Sequence, residues 1–167
     1  TYFGCALDLK LNMEGIRELY LTSNSNNHML NTILIALMDQ LTGSRYVELV
    51  IRFPNILAGA LYLFVLYRMY VGKHINGIVY YTLVSCYFLN EFFSLARGYG
   101  LAVCFLTICL CLYLLWKESG FQKILYPCLI MVCYMLACMA NTICLLMAPA
   151  LGLLCLINLI RSKTLGR

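Results

Sequence analysis

Apolar residues run along this chain in long blocks separated by short polar connectors, and the block lengths set the first expectations. Residues 1–27 are mixed. Leu7, Leu11, Ile16, Leu19 and Tyr20 form a weak helical stripe centred near residues 12–20. The run Thr22-Ser23-Asn24-Ser25-Asn26-Asn27 reads as a loop that also offers N-cap groups to the next helix. Residues 29–42 are apolar but interrupted by Asp39 and Gln40, and Gly43 follows. A helix of about 14 residues covers about 21 Å, short of the roughly 30 Å of bilayer hydrocarbon. The pattern therefore predicts a juxtamembrane helix at the interface. A crossing would require the helix to stretch into Gly43-Ser44.

Five blocks of spanning length follow, near 52–71, 75–93, 98–116, 124–140 and 143–160. The first opens on Arg52-Phe53-Pro54, where Pro suits a first turn. The last two come from one uncharged run, 124–160, too long for a single span of about 20 residues. Asn141-Thr142, the polar pair near its middle, is the expected turn of a hairpin. The predicted fold is all-α: a multi-pass bundle of about five transmembrane helices over 52–167, preceded by an extracytoplasmic first loop with juxtamembrane helices over 1–51.

Composition supports lipid as the solvent. The chain is 63% hydrophobic and 11% charged, against about 25% charged in ordinary soluble domains. Its net charge of +5 is scattered through short connectors, which argues for membrane topology and against nucleic acid. Nine of the ten cysteines lie inside apolar runs and no CxxC pair occurs, so they read as small packing residues, with no metal site implied. The connectors 68–74, 117–123 and 161–167 hold seven basic residues and one acidic. The opposite connectors, with residues 1–52, hold five basic and six acidic. Positive charge favours the cytoplasm, so residues 1–51 and the turn near 88–99 are expected to face outward, from a cell (inner) membrane.

The polar groups worth attention fall on that outward side. Asn90, Glu91, Ser94, Arg97 and Tyr99 lie between the second and third spans, and Asn26, Asn27, His28 and Arg52 lie near the first. Charges at membrane depth are expensive, so they are paired or functional. Glu91 and Arg97 read either as an ion pair anchoring the turn or as a site in which Arg97 holds an anionic head group such as a phosphate. Gly98 and Gly100 would admit a close approach of backbone or ligand. His28 by itself reads as a cap or interfacial residue as readily as a functional one, and Arg52 as a snorkelling anchor. Soluble-enzyme signatures such as a phosphate loop, GxSxG or HExxH do not occur.

Three strings occur in a telling order: Asn26-Asn27-His28-Met29-Leu30-Asn31-Thr32, then, after Gly43, Arg52-Phe53-Pro54-Asn55-Ile56-Leu57-Ala58-Gly59, then Ser94-Leu95-Ala96-Arg97-Gly98-Tyr99. Together they resemble the GT-C class of membrane glycosyltransferases, and within it the dolichyl-phosphate-mannose–protein mannosyltransferase and aminoarabinose transferase superfamily. The resemblance covers roughly residues 1–116. It implies transfer of a sugar from a polyprenyl-phosphate donor to an extracytoplasmic acceptor (glycan, lipid or protein). It places His28 and Arg97 near the donor phosphate, with Asn27, Arg52 and Tyr99 in support. The family's catalytic acid sits in an Asp-Glu pair just after the first span, and Thr1-Tyr2-Phe3 resembles the stretch just downstream of that pair. The resemblance thus implies an N-terminally truncated fragment, inactive alone. Some relatives carry an Asp two residues after the arginine of the turn. Tyr99 stands there in this chain, and Glu91 is the candidate substitute. No cofactor is required by the pattern, with a divalent metal left optional. The rival expectations are a transporter or channel subunit and a non-catalytic membrane scaffold.

Overall fold

The computed structural model describes residues 28–42, 47–95, 97–121 and 123–147, with 149, 150, 152, 153 and 157 beyond them. The expectations for residues 1–27, for Gly43 and for eight positions of the 143–160 block lie outside these. Every regular element among the described residues is helical, in agreement with the all-α expectation.

Helix α1 (Met29–Thr42) starts where the backbone N–H of Thr32 and its hydroxyl both donate to the His28 carbonyl, at 3.0 and 3.3 Å. It buries Asn31, Thr32, Ile35 and Ala36, one face at helical spacing. Helix α2 (Val47–Val71) buries Ala58, Tyr62, Leu66 and Met69, another such stripe. It begins well before the predicted Arg52 start, so Pro54 lies inside the helix and not in its first turn. Pro54 cannot donate to the carbonyl four residues back. The helix nonetheless runs through, because Val50, Pro54, Asn55 and Ala58 present one buried face to their neighbours.

The block 75–93 is not one continuous helix. It forms α3 (Gly77–Ser85) and α4 (Tyr87–Ser94), parted at Cys86, whose φ of −68° and ψ of 99° are extended. Side chains take the carbonyls freed by the break. The Tyr62 hydroxyl donates to Leu83 O at 3.0 Å, and Asn90 Nδ2 donates to Val84 O at 2.8 Å. Asn76 Oδ1 caps the start of α3 by accepting from the Val79 N–H at 2.8 Å.

Helices α5 (Tyr99–Glu118) and α6 (Leu125–Ala140) form the most extensive packing pair, an antiparallel hairpin. Small residues hold it close: Ala102, Cys104, Cys109, Ala137 and Ala140 are all buried. That is the packing expected where lipid supplies no hydrophobic drive between helices, and it agrees with the reading of the cysteines as packing residues. Asn141 then breaks the chain as anticipated, with extended φ and ψ of −153° and 116°. The following segment, Thr142–Met147, is a 3₁₀ helix, tied back by the Tyr134 hydroxyl donating to Cys144 O at 2.6 Å.

Two helices are long and apolar enough to cross a membrane, Glu48–Val71 and Tyr99–Glu118. Only 39% of each apolar window is buried. A core helix of a soluble protein would hide most of such a window, whereas these present theirs outward. The bundle has two poles. At one, His74 Nδ1 lies 2.6 Å from Glu118 Oε2, joining the loop after α2 to the end of α5. At the other, the starts of α1 and α5 meet the end of α6.

Candidate functional site

The second pole gathers residues from all three strings singled out in the sequence. His28 precedes α1 and is 8% exposed. Its Nδ1 lies 2.7 Å from the carbonyl oxygen of Ala140, the last residue of α6. A carbonyl can only accept, so Nδ1 carries the hydrogen. The bond satisfies one of the four carbonyls a helix leaves open at its C-terminus. The imidazole ring meets the edge of Tyr99, with centroids 4.7 Å apart at 70°. Tyr99 in turn lies against Phe92, at 5.5 Å.

Gly98 makes this approach possible. A methyl added there would overlap the Ala140 carbonyl oxygen and come within 2.8 Å of the His28 Cβ. The φ of Gly98, −65°, is open to any residue, so the requirement is for space alone. Gly100 serves the same purpose one step on. Its added methyl would lie 2.9 Å from Asn55 Oδ1, Phe92 O and Phe93 Cδ1 alike.

An amide pair packs against Gly100. Asn55, fully buried at 0% exposure, donates from Nδ2 to Asn31 Oδ1 at 2.9 Å, fastening α2 to α1. Its own Oδ1 faces Gly100 without a hydrogen-bond donor among the described residues. Asn55→Ala should therefore cost about 1–2 kcal/mol, the usual range for a buried amide hydrogen bond between helices. Thermal unfolding in detergent measures it, and a midpoint equal to that of the unmodified protein would remove the amide pair from the forces holding this corner.

The electrostatics of the pole are cationic but split. Burial lowers the pKa of His28 below the usual 6.5. The Ala140 hydrogen bond opposes that shift, and the nearby Arg97 guanidinium reinforces it. His28 is thus held neutral near pH 7, and Arg97 supplies the fixed charge. Arg97 is exposed, with no carboxylate within 4.0 Å among the described residues. The alternative of a Glu91–Arg97 ion pair therefore does not form there. Glu91 is exposed on α4, where its backbone carbonyl accepts from the Ser94 hydroxyl at 2.7 Å. Helix α5 starts just after Arg97 without a side-chain cap, leaving its first N–H groups to other partners.

Of the residues anticipated from the sequence, His28, Arg97 and Tyr99 come together. Arg52 is engaged elsewhere, 3.2 Å from Glu48 on the outside of α2. Asn27 lies outside the described residues. The amide pair and the Ala140 carbonyl were not anticipated as parts of the site. Asn31 and Asn55 stood in the quoted strings as the polar members of apolar stretches, which was the available signal. Ala140 carried none, since a backbone carbonyl leaves no mark on a sequence. The described residues hold no group of three or more His, Cys, Asp or Glu side chains fit to bind a metal. Comparison of the chain with protein-family models, with curated proteins and with solved structures finds no match.

Proposed function

We propose that this chain belongs to a membrane glycosyltransferase of the GT-C type, which moves a sugar from a polyprenyl-phosphate donor to an acceptor outside the cytoplasm. One observation carries the reading. Three strings spread over some 70 residues, which suggested that class by their order and spacing, meet through His28, Asn31, Asn55, Gly98 and Gly100. Sequence order does not require such a meeting, and a shared site does.

In this reading the pole lies at the outer water boundary of a multi-pass bundle in the cell (inner) membrane. The Arg97 guanidinium, free of a described carboxylate and beside the open start of α5, binds the donor phosphate and stabilises it as leaving group. A guanidinium suits this work, because it stays charged and can bond two phosphate oxygens at once. Tyr99 and His28 wall the site. Inversion at the sugar carbon needs a carboxylate to activate the acceptor hydroxyl. Glu91 is the candidate among the described residues. A divalent metal would be optional.

The test is direct transfer. Membranes containing the full-length protein are given radiolabelled sugars either on polyprenyl phosphate or on nucleotides, with extracts supplying acceptors. Label should move to acceptor from the lipid-linked donors only. Absence of transfer from every lipid-linked sugar offered, or transfer from nucleotide sugars instead, would end the proposal.

The break at Cys86 favours a second reading, a transporter subunit, since transporters place interrupted helices at their ion sites. The carbonyls at this break weaken it, because Tyr62 and Asn90 already occupy Leu83 O and Val84 O. Solute uptake by vesicles bearing the protein, with no sugar transfer, would favour it.

A further inference from the structure

The Ala140 contact constrains what His28 can do in the site. Nδ1 must carry a hydrogen to meet that carbonyl at 2.7 Å. In the neutral ring Nε2 then holds a lone pair, which repels an anion. Only the doubly protonated ring can donate to a phosphate while keeping its hold on α6. The alternative, turning the ring over to offer a hydrogen from the other nitrogen, would abandon the Ala140 carbonyl.

Resting on the phosphate reading above, we infer that His28 becomes a phosphate ligand by taking up a proton: arrival of the donor's phosphodiester draws one proton from solvent onto Nε2, while Nδ1–H stays on Ala140. The only covalent change is the N–H bond formed at Nε2 as a solvent or buffer acid gives up its proton, and it is reversed when the anion leaves. The surroundings are suited to such a response. Burial and Arg97 disfavour the imidazolium in the empty site, and the carbonyl favours it. An anion placed between Arg97 and His28 cancels the repulsion between them and stabilises the charged ring. Among the described residues the groups facing His28 are few. The turn before α5 brings Arg97 and Tyr99, while α6 and the 3₁₀ segment carry no charged side chain at all. The charged groups at the start of α2, Glu48 and Arg52, are paired with each other. The site thereby admits its donor tightly where protons are plentiful and releases it as pH rises.

Isothermal titration of the full-length protein with geranylgeranyl methyl phosphodiester, in buffers of different ionisation enthalpy, reads the proton count. This probe does not itself titrate near neutrality. The expected result is uptake of about one proton per anion bound near pH 7.5, with affinity falling about tenfold per pH unit above neutrality. His28→Asn keeps an N–H at the Nδ1 position and lacks Nε2. It should bind more weakly, with no uptake and little pH dependence, and His28→Gln provides a second variant without an imidazole. Binding by the unmodified protein with no proton uptake, or uptake that persists in these variants, would overturn the inference and leave the phosphate site standing. No binding of the diester at any pH between about 6 and 8 would overturn both.

Discussion

Replacing Arg97 by Ala in the full-length protein should reduce sugar transfer by about a hundred- to a thousandfold, the range for losing one preorganised group that stabilises transition-state charge. The same change should leave membrane insertion intact and thermal stability within about 0.5 kcal/mol, as expected of an exposed side chain. The structural basis for separating the two effects is clear. Arg97 is exposed and pairs with no carboxylate among the described residues, so its loss strands no buried charge. It also removes a charge that disfavours imidazolium at His28. Arg97→Lys sharpens the test. An ammonium keeps the charge and loses the two-pronged geometry, so its rate should fall between the other two. Transfer by Arg97→Ala at the unmodified rate would remove this residue from the site.

Gly98→Ala should act oppositely, through the fold. The added methyl would collide with the Ala140 carbonyl and the His28 Cβ, one of them backbone and neither the far end of a flexible chain. Relief requires α5 to move away from α6 or His28 to leave its carbonyl. Either breaks the contact that holds three elements together. We expect a loss of about 3 kcal/mol, the upper end of overpacking costs, seen as a lowered unfolding midpoint in detergent. Gly152→Ala is the matched control. Nothing lies within 4 Å of its added methyl, and the residue is helical. It should be neutral or stabilise by about 0.5–1 kcal/mol through helix propensity. Equal midpoints for the two variants would mean that the Gly98 contact is not a constraint.

These expectations mark where the pattern of residues ended and the packing began. Helices α1 and α5 and the break at Asn141 were legible, because period, length and the lone polar pair in an uncharged run are local properties. The start of α2 was misplaced, because Pro54 is a common first-turn residue and its tolerance inside a helix depends on the buried face around it. The break at Cys86 was missed for a similar reason. Nothing in Val84-Ser85-Cys86-Tyr87 interrupts an apolar run, and the interruption is stabilised by Tyr62, distant in the chain, and by Asn90.

The sequence by itself determined that the chain is helical and has at least two segments fit to cross a membrane, since those follow from apolar run lengths and the scarcity of charge. It also offered Arg97 as a group able to hold a phosphate, and the family resemblance added His28, with Tyr99 in support. Only the tertiary structure decided that His28 and Tyr99 touch, that Arg97 acts on His28 across space, and that His28 spends one nitrogen on a backbone carbonyl 112 positions away. Contacts of that separation depend on how helices dock, and Gly98, by its lack of volume, lets this one form.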